Sequence, residues 1–353
     1  MTWNPAIPEV GGRTNEMKEK NYNLELIRMI SFVLVIAIHV SNYFCRAYGE
    51  IPNSEYAFSL VVDTAARVSV PSFFMISGAL LLGREETLKK HCRRILRFLS
   101  VLAVWSVVYY LWNTCYMKTE VKLQEIIFVP AEAHLWYLYA MIPIYLVLPF
   151  LQVMCRNLSK NLETALLIIS TGAVLLNFRT TFTGEELYYD LPLIGDKVYT
   201  YYLFFGYYIS KYRKKIPIRQ KTAVLICIFS MAVSFGATMG ATFAKGYHYE
   251  KELTYGSPFV ILASVMFFII MIRVNDGNFQ PSDRRKRIID LFCNCSFGIY
   301  LIHILFLDNY KKYMEPTDFT AWIAIPGLTF VIAAVSFVCV LIMRQTTIGK
   351  KIT

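Results

Sequence analysis

The chain has 353 residues, of which 56% are hydrophobic and 17% are charged, and its mean hydropathy is +0.43. A soluble globular protein is about half apolar and spreads its charges along the chain. Here the charges cluster between long apolar runs, which excludes an ordinary soluble fold and indicates a bilayer as the solvent. The net charge of +11 is typical of a membrane protein with basic cytoplasmic loops, so no nucleic-acid partner is expected.

The apolar runs predict an all-α, polytopic membrane bundle of about ten transmembrane helices. The sixth run is short and rich in Tyr and Phe, and it is the least typical of a span. In chain order the runs cover residues 26–44, 57–83, 95–115, 134–154, 163–178, 196–210, 222–243, 257–274, 289–307 and 319–343.

Basic residues predict how the helices are oriented. If the N-terminus is cytoplasmic, 25 of the 36 Lys and Arg residues fall on the cytoplasmic side and nine on the other. This alternation follows the positive-inside rule and requires ten helices, so both termini are expected to be cytoplasmic. We expect residues 1–22 to be a cytosolic tail without a cleavable leader, 23–345 the membrane domain, and 346–353 a cytosolic C-terminal tail.

Two ionisable residues lie inside the first predicted helix, where lipid would make them costly. Arg28 and His39 are eleven residues apart, which is three helical turns, so they share one helix face at an axial distance of about 16 Å. Arg28 is either an interfacial anchor or part of a site at the cytoplasmic end. His39 is either a catalytic group or the partner of an interhelical hydrogen bond.

The start of the third predicted helix carries three arginines, Arg93, Arg94 and Arg97. Their spacing of three and four residues gathers the guanidinium groups on one side of a helix. Arginine suits phosphate binding because its donors form a fork. The cluster is therefore either a phosphate site or a positive-inside anchor.

The second predicted helix contains Asp63 and Arg67 at a spacing of four residues, which allows an ion pair. A structural pair and a substrate-binding role both fit. Further along, Pro71 is expected to kink the helix because it lacks a backbone donor. Ser77 and Gly78 then permit close approach by a neighbouring helix or a ligand.

Further polar residues are expected near the opposite, outer side of the membrane. Tyr300 and His303 share a face of the ninth helix, and His134 and Trp136 lie at the mouth of the fourth. Trp at an interface is usually an anchor, and a buried histidine is often simply hydrogen-bonded. The eight cysteines have no spacing typical of a zinc site or a disulfide framework, so no metal is expected.

Several of these segments, taken in order, resemble the acyltransferase-3 family of membrane O-acyltransferases, in its glycan- and exopolysaccharide-modifying branch. They are Arg28 and His39 with ten residues between them, VPSFFMISGALLL, RRILR, HLWYLYAMIPIYLVLP and SFGIYLIH. Members transfer acyl groups, generally from acetyl-CoA, to surface glycans. The resemblance covers nearly the whole apolar chain.

The resemblance implies a catalytic role for His39. It implies a cytoplasmic acyl-CoA site at Arg28, Arg93 and Arg97. We add Arg94 and Ser77 to this expected site because of their positions in the sequence. The acceptor glycan is expected to enter past a group of outer residues: Asp63, Arg67, His134, Trp136, Tyr300 and His303. The segment of the fourth helix departs from the WSLxxE form of several members.

A similar membrane half occurs in vancomycin-resistance-type serine racemases, for which transport has been proposed. A transporter or flippase for a glycan or small polar solute is therefore the alternative. The charged residues inside the helices would then line a translocation path.

Overall fold

The structure, a computed structural model, describes residues 20–119, 122–183 and 198–353, and these residues form an all-α bundle. A turn of π-helix, Trp112–Met117, extends the fourth helix, and the turn Ala133–Leu135 precedes the fifth. The α-helices are α1 (Tyr22–Cys45), α2 (Asn53–Ala66), α3 (Ser69–Leu81), α4 (Leu88–Leu111), α5 (Trp136–Asn157), α6 (Lys160–Thr183), α7 (Tyr199–Tyr212), α8 (Gln220–Lys245), α9 (Pro258–Ile272), α10 (Asp283–Lys311), α11 (Ala321–Met343) and α12 (Thr347–Ile352).

Nine helical segments within the described ranges are long and apolar enough to cross a bilayer, with α2 and α3 together forming one of them. The prediction of an all-α polytopic membrane bundle is confirmed. The sixth predicted run is α7, whose 14 residues span about 21 Å, less than the apolar core of about 30 Å. Its first two predicted residues, 196 and 197, lie outside the described residues.

Helix α1 occupies the centre of the bundle, where it packs against α2, α3, α9, α10 and α11. The side chain of Asn21 caps its first turn by accepting hydrogen bonds from the backbone N–H groups of Asn23 and Leu24 at 3.1 and 3.4 Å. The Asn23 amide donates to the carbonyl groups of Met271 and Val274. This contact ties the start of α1 to the end of α9.

The second predicted helix is broken, as Pro71 indicated. Helix α2 ends at Ala66 and α3 begins at Ser69, with Arg67 and Val68 at the break. Pro71 cannot donate a backbone hydrogen bond to the carbonyl of Arg67. The break places Arg67 at the end of α2 while α3 continues along the core.

Helices α3 and α7 cross with backbone contact at two glycines. A Cβ atom built on Gly78 would lie 1.8 Å from the carbonyl oxygen of Leu203, and one on Gly206 would lie 2.0 Å from that of Met75. Such distances are impossible for real atoms, so only glycine fits at either position. The crossing fixes α3, which supplies one wall of the central cavity described below.

Residues 346–353, the expected C-terminal tail, contain a short helix that packs on the bundle. The indole N–H of Trp105 donates to the carbonyl of Ile352 at 2.9 Å. Arg344 donates to the carbonyl of Thr353 at 3.0 Å, and Thr353 is buried. The expected N-terminal tail lies outside the described residues up to residue 19.

The glycine crossing gives a testable prediction. Gly206→Ala should lower the thermal unfolding midpoint of the detergent-solubilised protein, because overpacking here must move two backbones, at a cost of about 1–3 kcal/mol or more. Gly240→Ala in α8 is the matched control, since nothing lies within 4 Å of its added Cβ. Equal midpoints for the two variants would contradict the close crossing.

Candidate functional site

A cavity of about 550 Å³ runs along the polar face of α1. We call it the central cavity. Its lining follows α1 from Arg28 to Arg46, the residue that caps the end of the helix, eighteen residues or about 27 Å along the helix axis. The remaining lining comes from the α2–α3 break, α3, the α3–α4 connection, α4, the turn Ala133–Leu135, α5, α10 and the connection between α8 and α9. The residues of α1 and its cap that line the cavity are Arg28, Val35, Ile38, His39, Asn42 and Arg46.

Two guanidinium groups, of Arg28 and Arg84, line one end of the cavity. Arg28 lies 2.8 Å from a carboxylate oxygen of the buried Glu25, which leaves donors of the fork available to the cavity. Arg84 lies in the exposed connection between α3 and α4. Two cations at a cavity mouth are suited to phosphate groups.

The middle of the cavity holds His39, whose half-buried side chain lines it. Ser77 of α3 also lines it, and its hydroxyl donates to the carbonyl of Phe73 at 2.9 Å. Phe73, Tyr137 and Tyr300 complete the wall here. An imidazole is thus accessible from the cavity in a mainly aromatic surrounding.

Three of the five histidines of the chain form a continuous group here. The His303 ring lies between the other two, with centroids 5.2 Å from His39 and 5.3 Å from His134. His303 and His134 are buried. Tyr300 donates a hydrogen bond to the carbonyl of His134, which joins α10 to the start of α5.

The other end of the cavity carries an ion network centred on Arg67. Its guanidinium lies 2.7 Å from Asp63 and 3.1 Å from Glu250. Glu250 also accepts a hydrogen bond from Asn42 of α1 at 3.0 Å and lies 3.8 Å from Arg46. Burial alone would raise the pKa of Glu250, but Arg67, His248 and Arg46 hold it below its usual value. The carboxylate therefore stays ionised and closes the network.

A second cavity, of about 440 Å³, meets the central cavity at this end. The two share Arg67, Glu250 and Tyr255. Within the described residues no group of three His, Cys, Asp or Glu side chains is close enough to hold a metal ion. The chemistry that the cavity residues offer is proton transfer at an imidazole and binding of anionic or hydroxyl-bearing groups.

The family described as "Acyltransferase domain" matches residues 21–344, from α1 to just past α11. The chain belongs to this acyltransferase family.

An amino-acid racemase of Enterococcus faecalis is 23% identical to this acyltransferase-family chain over 328 residues. The alignment covers 84% of the chain but 43% of the racemase, so the chain spans less than half of that relative's length. No solved structure matches.

The residues that were predicted to bind the acyl donor fall into two groups. Arg28 and Ser77 line the central cavity, whereas Arg93, Arg94 and Arg97 do not. Arg94 instead pairs at 2.5 Å with Glu86, and this hydrogen bond lowers the pKa of the Glu86 carboxyl. Exposed Arg97 donates to the carbonyl of Lys350 at 3.4 Å. Periodicity put these arginines on one side of α4, but it did not reveal that Arg94 is engaged by Glu86 and Arg97 by the C-terminal segment.

The predicted acceptor residues divide in the same way. Arg67, His134, Trp136 and Tyr300 line the cavity. Trp136 also packs against Tyr199 and Tyr255, with ring centroids 5.3 and 5.8 Å away. Asp63 and His303 are fully buried behind this lining, where Asp63 contacts Arg67 and His303 contacts His39.

Sequence reasoning missed several polar cavity residues, among them Arg84 and Glu250. Arg84 resembles any basic loop residue after a span. Glu250 lies in a polar connection, and its one signal is that it is acidic near His248 on the side expected to be poor in cations. Both reach the cavity because the bundle folds their connections over its ends.

The buried ion pair generates a prediction. Asp63→Asn should lower the free energy of unfolding by about 3–5 kcal/mol, because Arg67 would lose its closest partner inside the protein. Thermal unfolding in detergent measures this, with Asp283→Asn, whose side chain is 94% exposed, as the control. A variant with unchanged stability and a raised KM for an acceptor would instead make Asp63 a binding residue.

Proposed function

We propose that this protein is a multi-pass acyltransferase of the cell membrane. It would transfer an acyl group, acetyl in the first instance, from cytosolic acyl-CoA to a hydroxyl of an extracytoplasmic or lipid-linked glycan. Family membership supports the acyl transfer. The observation that carries the proposal is one cavity with guanidinium groups at one end, an imidazole in its middle and a separate polar network at the other end.

Donor binding uses the Arg28 end of the cavity. Coenzyme A has a phosphate-rich head, and the forked donors of Arg28 and Arg84 suit it through charge-assisted hydrogen bonds. Its pantetheine arm, on the order of 15–20 Å when extended, matches the axial distance of about 16 Å from Arg28 to His39. The aromatic and aliphatic wall between these residues, with Phe73, Ile76 and Leu80, suits a thin, largely apolar arm.

The chemistry takes place at His39. A neutral imidazole accepts the proton of the acceptor hydroxyl as the oxygen attacks the thioester carbonyl. The new C–O bond forms, the C–S bond breaks, and the departing thiolate takes the proton from the imidazolium. No external oxidant or metal enters this balance. An N-acyl-histidine intermediate is the other route, and direct transfer is favoured because no carboxylate of a described residue pairs with His39.

The acceptor enters from the Arg46 end. Hydroxyl groups of a glycan find an ionised acceptor in Glu250, donors in Arg46, Asn42 and Arg67, and an aromatic surface in Trp136. The ion network leaves little net charge here because two arginines face two carboxylates. A polar, mainly neutral acceptor suits such a site.

A transporter is the second candidate, and one observation favours it. The cavity lining extends along nearly the whole of α1, which a translocation path also requires. The two classes differ at the Arg28 end, because a path for a small polar solute has no use for paired guanidinium groups one cofactor-length from a histidine.

Donor binding discriminates between them. Acetyl-CoA should raise the thermal unfolding midpoint of the detergent-solubilised protein in a concentration-dependent manner. Arg84→Ala and Arg28→Ala should weaken this shift about tenfold or more in apparent affinity, since each removes a charge-assisted contact. Arg93→Ala, in the first turns of α4 and outside the cavity lining, is the matched control. No shift at millimolar acetyl-CoA would favour the transporter.

Catalysis at His39 has its own test. His39→Ala should keep the acetyl-CoA-induced thermal shift while abolishing transfer of radiolabelled acetyl from acetyl-CoA to the glycan fraction of membranes. The reason is that the variant keeps the donor site and loses the base, a loss of about 10²–10⁴-fold in rate. His91→Ala, a buried histidine of α4 outside the cavity lining, should retain transfer. Full activity of His39→Ala would refute the mechanism.

A further inference from the structure

His303 lies directly against His39 without lining the central cavity. It is fully buried, and its ring centroid is 5.2 Å from that of His39 with the ring planes at 49°. The nitrogen atoms of an imidazole lie about 1.2 Å from the centroid, so nitrogens turned towards one another would be about 3 Å apart, which is hydrogen-bond distance. Rotation of a histidine ring about its second side-chain torsion is soft.

The backbone fixes which nitrogen of His303 carries the proton. Its Nδ1 lies 2.7 Å from the carbonyl oxygen of Tyr300. A carbonyl only accepts, so Nδ1 donates and the Nε2 of the neutral ring keeps its lone pair. Nε2 is buried and has no hydrogen-bond partner among the described residues. A buried acceptor without a hydrogen bond raises the free energy of the folded protein. A donor close to this nitrogen would therefore be stabilising.

No carboxylate of a described residue forms a hydrogen bond or an ion pair with His39. The largest electrostatic effects on its ring come from the neighbouring His303 and from three cations, Lys311, Arg67 and Arg46. Among the described residues, the histidine that does pair with a carboxylate is His248, 3.9 Å from Glu250. A carboxylate that orients the base, as in hydrolase triads, has no counterpart beside His39.

We propose that His303 is the positioning residue of His39, an inference that rests on the proposed acyl transfer. The Nε2 lone pair of His303 accepts a hydrogen bond from one ring N–H of His39. This holds His39 in the tautomer whose other nitrogen faces the cavity without a proton. That nitrogen then accepts the proton of the attacking hydroxyl and returns it to the departing thiolate, while His303 stays neutral throughout.

His134 is the other histidine in contact with His303, and its place differs. Its ring contacts His303, Tyr109 and Tyr300, at centroid distances of 5.3, 4.9 and 5.4 Å. The ring contact that reaches His39 comes from His303. His134 therefore packs against the far side of the pair and supports the orientation of His303.

Two substitutions distinguish the roles of the two ring nitrogens of His303. In His303→Asn the side-chain amide replaces Nδ1 and keeps a donor for the Tyr300 carbonyl, but it has no acceptor at the Nε2 position. In His303→Gln the longer side chain places an amide oxygen near that position. We expect kcat to fall about tenfold or more in His303→Asn, as loss of one hydrogen bond in the transition state implies. His303→Gln should recover part of the rate, and the KM for acetyl-CoA should stay within about twofold in both.

A tautomer measurement keeps this inference separate from the proposed function. The ¹⁵N NMR spectrum of histidine-labelled protein, with His39 assigned by its loss in His39→Ala, should show one neutral tautomer in the wild type and a mixture in His303→Asn. If His39 shows a single tautomer but the protein transfers no acyl group, the proposed function is refuted and the role of His303 in orienting His39 stands. A mixture in the wild type, unchanged kcat in His303→Asn, or loss of the acetyl-CoA-stabilised unfolding transition in both variants would overturn the role of His303.

Discussion

The position of α1 at the centre of the bundle is the constraint on which the rest of the structure depends. A helix surrounded by α2, α3, α9, α10 and α11 can carry Arg28, His39 and Asn42 because protein, rather than lipid, faces them. The polar face of α1 lines the central cavity, whereas an apolar groove borders Phe32, Val33 and Ala37 on another face. The central cavity therefore follows from placing a partly polar helix inside apolar ones.

The walls of the cavity are rigid for identifiable reasons. Backbone contact at Gly78 and Gly206 locks α3 against α7, and the amide of Asn23 locks the start of α1 to the end of α9. A cofactor-length spacing between a guanidinium and an imidazole is useful only if the helix that carries both cannot shift. Catalysis depends on such positioning, because reacting groups must be held close to the productive geometry.

The two ends of the cavity differ in the balance of their charged side chains. At the Arg46 end, Arg67 is neutralised by Asp63 and Glu250, and the network ties α1, α2 and the α8–α9 connection together. At the Arg28 end, Glu25 pairs with Arg28 while Arg84 is exposed in its connection. The asymmetry gives the cavity a cationic mouth and a nearly neutral one, which supports the proposal that one end binds a phosphate-rich donor and the other a hydroxyl-bearing acceptor.

The sequence by itself determined the fold class, because runs of apolar residues of bilayer length admit few structures other than helices. It determined the shared face of Arg28 and His39 from helical periodicity, and the break before Pro71 from the missing backbone donor. Only the tertiary structure decided that Arg84 rather than Arg93, Arg94 and Arg97 lines the cavity, that Glu250 reaches Arg67, and that His303 contacts His39. Periodicity fixes the direction of a side chain relative to its own helix, whereas these contacts depend on how separate helices are rotated and packed around one another, which no local pattern encodes.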